Sequence, residues 1–151
     1  MPLLERVRPS ETDVQALLDA HFALMRSQSP PESCHVLPSG ELDADDIHLY
    51  ALRENGNAVA IGALRIEGLA GELKSMHTLS VARGRGWGRR LLLGLMSEAR
   101  DAGLTHLQLE TGSGPEHAAA RALYSSEGFV ECEPFGSYVE DPLSLFMARV
   151  L

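Results

Sequence analysis

The chain has 151 residues, 44% of them hydrophobic and 23% charged, so a single domain spanning 1–151 is expected to fold without disulfide or metal support. No apolar run approaches the ~18 residues needed to span a bilayer, and Met1–Ser10 carries Glu5, Arg6 and Arg8, so neither a membrane nor a secretory leader is expected. The net charge of −8 argues against general nucleic-acid binding, and two isolated cysteines, Cys34 and Cys132, suit a cytoplasmic setting with free thiols.

Leu3 to Arg8 alternates weakly and predicts an edge strand. Ser10 is the expected N-cap of a helix carrying Val14, Leu17, Leu18, His21, Phe22 and Met25 on one face and ending near Ser27. Ser29-Pro30-Pro31-Glu32-Ser33 cannot continue it. An acidic turn or short helix follows, with Glu41, Asp43, Asp45 and Asp46. Ile47–Arg53 and Ala58–Ile66 read as strands joined at Asn55-Gly56, because both residues tolerate positive φ. A third strand, Glu72–Val81, follows the Gly68–Gly71 turn. The pattern then changes to a helix from Gly88 to Ala102, with Leu91, Leu92, Leu95, Met96 and Ala99 on one face and Gly103 just past its end. His106–Leu109 is a short strand, so a right-handed crossover and a parallel pair are expected. Pro115 opens a helix that runs to about Ser126, and Phe129–Glu133 and Leu145–Val150 close the chain as strands. The expected fold class is α/β: a mixed, mostly antiparallel twisted sheet flanked by helices, in the order β-α-(α)-β-β-β-α-β-α-β-β.

The most informative segment is Arg83-Gly84-Arg85-Gly86-Trp87-Gly88-Arg89-Arg90, between a strand and a helix start. Its four arginines stand in a chain whose remaining charge is −12, so one concentrated positive spot is set in an acidic protein. Glycines let the backbone turn tightly, and a helix N-terminus leaves N–H groups unpaired, so this turn can hold a compact polyanion. A P-loop would need Gly-Lys-Ser/Thr, which is absent. A dinucleotide turn would need GxGxxG after the first strand of a parallel sheet, which this spacing does not give.

Arg83-x-x-Gly86-x-Gly88 resembles the Q/R-x-x-G-x-G/A signature of the GNAT superfamily of N-acetyltransferases. Ala122-Leu123-Tyr124-Ser125-Ser126-Glu127-Gly128-Phe129 is similar to that family's A-L-Y-x-x-x-G-F segment. The resemblance runs from Ile47 to the C-terminus and includes Glu72-Leu73-Lys74-Ser75-Met76. It implies that acetyl-CoA is the cosubstrate, with its pyrophosphate on Arg83, Gly84, Arg85, Gly86, Trp87, Gly88 and Arg89. It also implies that main-chain groups of Met76, His77 and Thr78 lie along the thioester, where N–H groups suit an oxyanion. Many family members carry Asn where His117 stands, so His117 either contacts the cofactor or caps its helix.

Acetyl transfer to an amine needs an acid for the departing thiolate and a base for the ammonium. Tyr124 is the acid candidate: it matches the family's tyrosine, and a phenol stays protonated at neutral pH. Glu72 is the base candidate, resembling a catalytic glutamate of the histone-acetylating branch, although pairing with Lys74 would explain it equally. His35, Tyr138 and Glu140 fall in loop-like segments and are candidates for the acceptor pocket. The histidines show no metal-ligand spacing. The resulting expectation is direct acetyl transfer from acetyl-CoA to an amine, without an acyl-enzyme, a metal or nucleic acid; the resemblance also points to a homodimer. A non-catalytic CoA-binding module and a phosphate or nucleic-acid binder are the alternatives, and the identity of the acceptor stays open.

Overall fold

The computed structural model describes residues 4–79 and 82–151. Leu3 and Val81, the expected ends of two strands, lie outside them. Seven strands form one sheet: β1 (Leu4–Val7), β2 (Ile47–Glu54), β3 (Asn57–Glu67), β4 (Ala70–Thr78), β5 (His106–Gly112), β6 (Val130–Cys132) and β7 (Ser144–Val150). Their order across the sheet is β1-β2-β3-β4-β5-β7-β6, and only the β4–β5 pair is parallel. The helices are α1 (Thr12–Gln28), α2 (Trp87–Asp101) and α3 (Ala118–Ser126), with short 3₁₀ turns at Pro31–Ser33, Ser39–Leu42 and Pro115–His117.

Local chemistry explains most of these elements. Asn55 and Gly56 adopt φ of 53° and 83°, the turn whose twist suits a two-residue hairpin, and Glu54 faces Asn57 across it. The next turn is tighter than expected, so β4 begins at Ala70 rather than Glu72. The last turn of α2 closes as a Schellman motif. The N–H of Gly103 reaches the Arg100 carbonyl, that of Leu104 reaches the Ala99 carbonyl, and Gly103 takes φ 82°.

Ser10 does not cap α1. The helix starts at Thr12 with Glu11 in the cap position and no side-chain cap bond. The acidic residues there are engaged elsewhere. Arg53 reaches Glu5, Glu11 and Asp13, and Asp13 also accepts from the Ala58 N–H at 2.8 Å.

The two faces of the sheet carry separate cores. On one, Val14, Leu17, Leu18 and His21 of α1 pack over Leu49, Ala51, Ile61 and Ala63. On the other, Leu91, Leu92, Leu95 and Met96 of α2 pack over Tyr50, Leu64, Leu73, Leu107 and Leu109. Fully burying each such leucine contributes about 2 kcal/mol. β2 alternates its residues between the two cores, and β3, covered on both faces, reads as the nearly unbroken apolar run Ala58–Leu64. No described helix is long and apolar enough to cross a membrane.

Candidate active site

The site begins where two parallel strands part. β4 and β5 pair from Ala70–His106 to Leu73–Leu109 and, among the described residues, no further. The cause lies on the other edge of β4. Ile61 pairs with His77 but Ala63 with Lys74, so Ser75 and Met76 together oppose Gly62. Ser75 takes φ 55°, and this bulge redirects the strand. Gly62 makes room for it, since a Cβ there would stand 2.7 Å from the Met76 sulfur. The extra residue also resets the side-chain phase. Leu73 and Met76 pack with the α2 core, while His77 turns to α1, where its Nδ1 lies 3.1 Å from Nδ1 of His21. Beyond Leu73, the β5-facing edge of β4 therefore presents main-chain groups to a cleft rather than to a strand.

At the end of this edge stands the glycine turn. Gly84 and Gly86 adopt φ of 80° and 81°, and Gly86 occupies the N-cap of α2 with no side-chain cap bond. A Cβ at either would meet nothing within 4 Å, so both are glycine for their dihedrals and not for crowding. The first helical bond runs from the Arg90 N–H to the Gly86 carbonyl, which leaves the N–H groups of Trp87, Gly88 and Arg89 without intrahelical partners. Arg83 donates to the Thr78 carbonyl at 3.3 Å, bringing its guanidinium to the end of β4. Two neighbouring arginines are less free than their sequence suggests: Arg85 pairs with Glu54, and Arg89 with Glu127 and the Ser126 hydroxyl. The Trp87 ring is 6% exposed and belongs to the α2 core, so only its main chain contributes to the turn.

Between the parted strands lies a cavity of about 140 Å³. Lys74 donates to Glu72 Oε2 at 3.1 Å and to the Tyr138 hydroxyl at 3.0 Å, and that hydroxyl donates to the same carboxylate oxygen at 2.6 Å. His35 meets the Tyr138 ring edge-on at 5.0 Å. Burial and Glu72 hold the Tyr138 phenol far above its usual range. Three predicted residues, Glu72, His35 and Tyr138, thus converge. Glu140 does not join them: it is exposed and lines a separate shallow groove beside Glu131 and Pro142.

Tyr124 and His117 line the same cavity. Burial, reinforced by Glu110, pushes the Tyr124 phenol up to about 12. His117 stands at the N-cap of α3 without a side-chain cap bond, and its ring lies over Gly112, where a Cβ would come within 2.1 Å of it. Of its two expected roles, side-chain capping is therefore absent. Glu110 was not singled out from the sequence, because the strand reading stopped at Leu109. It lines the cavity, and burial raises its carboxyl, opposed by Ser144, His35, Lys74 and His117. The available signal was an acidic residue next to Leu109, in the phase opposite to Leu107 and Leu109.

Residues 14–129 match the family model described as Acetyltransferase (GNAT) family. The chain is 41% identical over 150 residues to an IAA acetyltransferase of Azospirillum brasilense, covering 98% of this chain and 97% of that protein. It is 38% identical over 139 residues to the protein named Uncharacterized N-acetyltransferase YsnE of Bacillus subtilis (strain 168), covering 91% and 92%. A solved structure from Klebsiella pneumoniae, assigned as an acyl-CoA N-acyltransferase, superposes with a TM-score of 0.82 at 30% identity, over 100% of this chain and 98% of that one.

Proposed function

This chain belongs to the GNAT acetyltransferase family and is an acyltransferase, and from that premise we propose that it moves the acetyl group of acetyl-CoA directly to an amine, with no acyl-enzyme. The observation that carries the reading is the edge of β4 past Leu73, unpaired with β5 among the described residues and ending at a helix whose first N–H groups have no intrahelical partner. These residues fit the cosubstrate. The diphosphate would rest on the main chain of Gly86, Trp87 and Gly88 with Arg83 beside it; a Cβ added at Gly88 would stand at ordinary contact distance from Leu123 and Thr78. Acetyl-CoA supplies, when bound, an activated acyl group and a thiolate leaving group. Main-chain groups of Met76, His77 and Thr78 would lie along its acyl end, where an N–H donor steadies the developing oxyanion.

Two side chains handle the protons. Glu110 accepts the proton that the acceptor ammonium must lose. A carboxyl raised by burial is a stronger base than an exposed one, and Glu110 has no ion-pair partner among the described residues. Glu72 is the less suitable base, because Lys74 and Tyr138 both donate to its Oε2; it stays in the site as part of the acceptor wall. Tyr124 Oη, protonated up to about 12, is the proton donor for the leaving thiolate. Replacing Tyr124 with Phe tests this assignment. The expected result is a fall in kcat of about a hundredfold or more with acetyl-CoA affinity kept within about twofold. Unchanged kcat, measured by thiol release, would remove Tyr124 from the reaction.

A further inference from the structure

The charges of the cavity also bear on which amine enters it. Lys74 is the only lysine of the chain and the only lysine or arginine among the described residues lining the cavity. Its charge is already spent. The Lys74 and Glu72 side chains are 9% and 12% exposed, stand 3.1 Å apart, and are both bonded to the Tyr138 hydroxyl. Glu110 has no such partner among the described residues. The remaining wall mixes apolar side chains, among them Met25, Leu73, Leu109 and Leu143, with hydroxyls and the imidazoles of His21, His35 and His117. An ammonium group finds a counter-charge here. Among the lysine and arginine side chains of the wall, a carboxylate can turn only to Lys74, in competition with Glu72; drawing Lys74 away would strand a buried carboxylate, and breaking such a pair is strongly unfavourable.

Resting on the acetyltransferase reading above, we propose that the Glu72–Tyr138 clamp on Lys74 is a charge filter, admitting small primary amines that carry no acidic group and rejecting amino acids. Removing the clamp frees the lysine and opens the site to a carboxylate. Specificity here comes from a cation held unavailable as much as from an acid left free.

The test uses acceptor pairs that differ only by a carboxylate: 2-phenylethylamine and phenylalanine, histamine and histidine, isoamylamine and leucine, putrescine and ornithine. For pairs that are turned over, the wild-type chain should favour the amine at least tenfold in kcat/KM. Glu72→Gln should narrow that ratio at least tenfold or invert it. Lys74→Gln, which removes the cation instead of freeing it, should leave the preference for the amine in place. The different responses of the two variants separate a filter from general damage, and an acetyl-CoA-induced rise in Tm checks that each is folded. A wild-type preference for the amino acid, or an unchanged ratio in folded Glu72→Gln, overturns the proposal. So does an enzyme that binds acetyl-CoA yet turns over neither member of any pair. Failure to bind acetyl-CoA would instead overturn the reading on which the filter rests.

Discussion

Glu110 sits on a strand whose Leu107 and Leu109 fill the α2 core, and by the strand's alternation it takes the opposite face, where it lines a cavity. Its burial raises the carboxyl above the ordinary glutamate range, opposed by the Ser144 hydroxyl, His35, Lys74 and His117. A base must be ionised to act, so kcat/KM should rise with pH through an ascending limb displaced upward from that of an exposed carboxylate. Glu110→Gln should lower kcat/KM by about a hundredfold and abolish that limb, as read in a pH profile with a fixed amine. A variant keeping both rate and limb would assign the limb to another group. Tyr124 was legible in the sequence because its segment carries a recognisable pattern, whereas Glu110 was not, because apolar alternation is the strand signal and it fails where a strand meets a site. Trp87 shows the converse. Its place in the motif suggested a ligand contact, but spacing does not say which side of a turn a ring takes, and this one fills the core.

At the scale of elements, the hairpin at Asn55-Gly56 and the end of α2 at Gly103 were readable because their turn chemistry is local. The bulge at Ser75 was not: a serine in the left-handed region carries no mark in the sequence, yet it parts β4 from β5. The entry to α2 depends on Gly86 at φ 81°. Gly86→Ala has open space for its methyl, so its cost is conformational, about 1–2 kcal/mol of stability in a urea titration. The displaced N–H groups should weaken acetyl-CoA binding more than tenfold by calorimetry; unchanged affinity would detach the turn from the cosubstrate.

The seat of α1 on the sheet gives a pH dependence. Burial, then the charges of His77 and His117, lower His21 to about 4. Above the unfolded value of 6.5 both states are neutral. As pH falls from 6.5 towards 4, the unfolded chain takes a proton that the folded one refuses. Stability should therefore drop across that window by up to about 3 kcal/mol, with His77, also lowered, adding in the same direction. Denaturant titrations at pH 7 and 4.5 should show the loss, and His21→Leu should flatten it; an equal slope in the variant would assign the loss elsewhere.

At the scale of the whole molecule, sequence periodicity gave the strand and helix succession and its one parallel pair, because each element has a distinct apolar pattern and the crossover has a fixed hand. What periodicity does not carry is how loops distant in sequence meet. Ser33 donates to Asp141 at 2.5 Å, joining the segment after α1 to the loop between β6 and β7. His35 and Tyr138 meet at the same junction, while Glu140, one residue from Asp141, faces outward. The sheet thus opens a cleft between two of its own strands, with a helix start that lacks intrahelical N–H partners at one side and a cavity holding Glu72 and Glu110 at the other. The most direct measurement compares the thermal stability of the chain with acetyl-CoA and with acetyl-pantetheine, which has the same thioester but no diphosphate. Acetyl-CoA at a hundred times its Kd should stabilise the fold by about 2.7 kcal/mol, and acetyl-pantetheine at the same concentration should do far less. Equal shifts from the two would contradict the helix-start site, and no shift at millimolar acetyl-CoA would contradict the account as a whole.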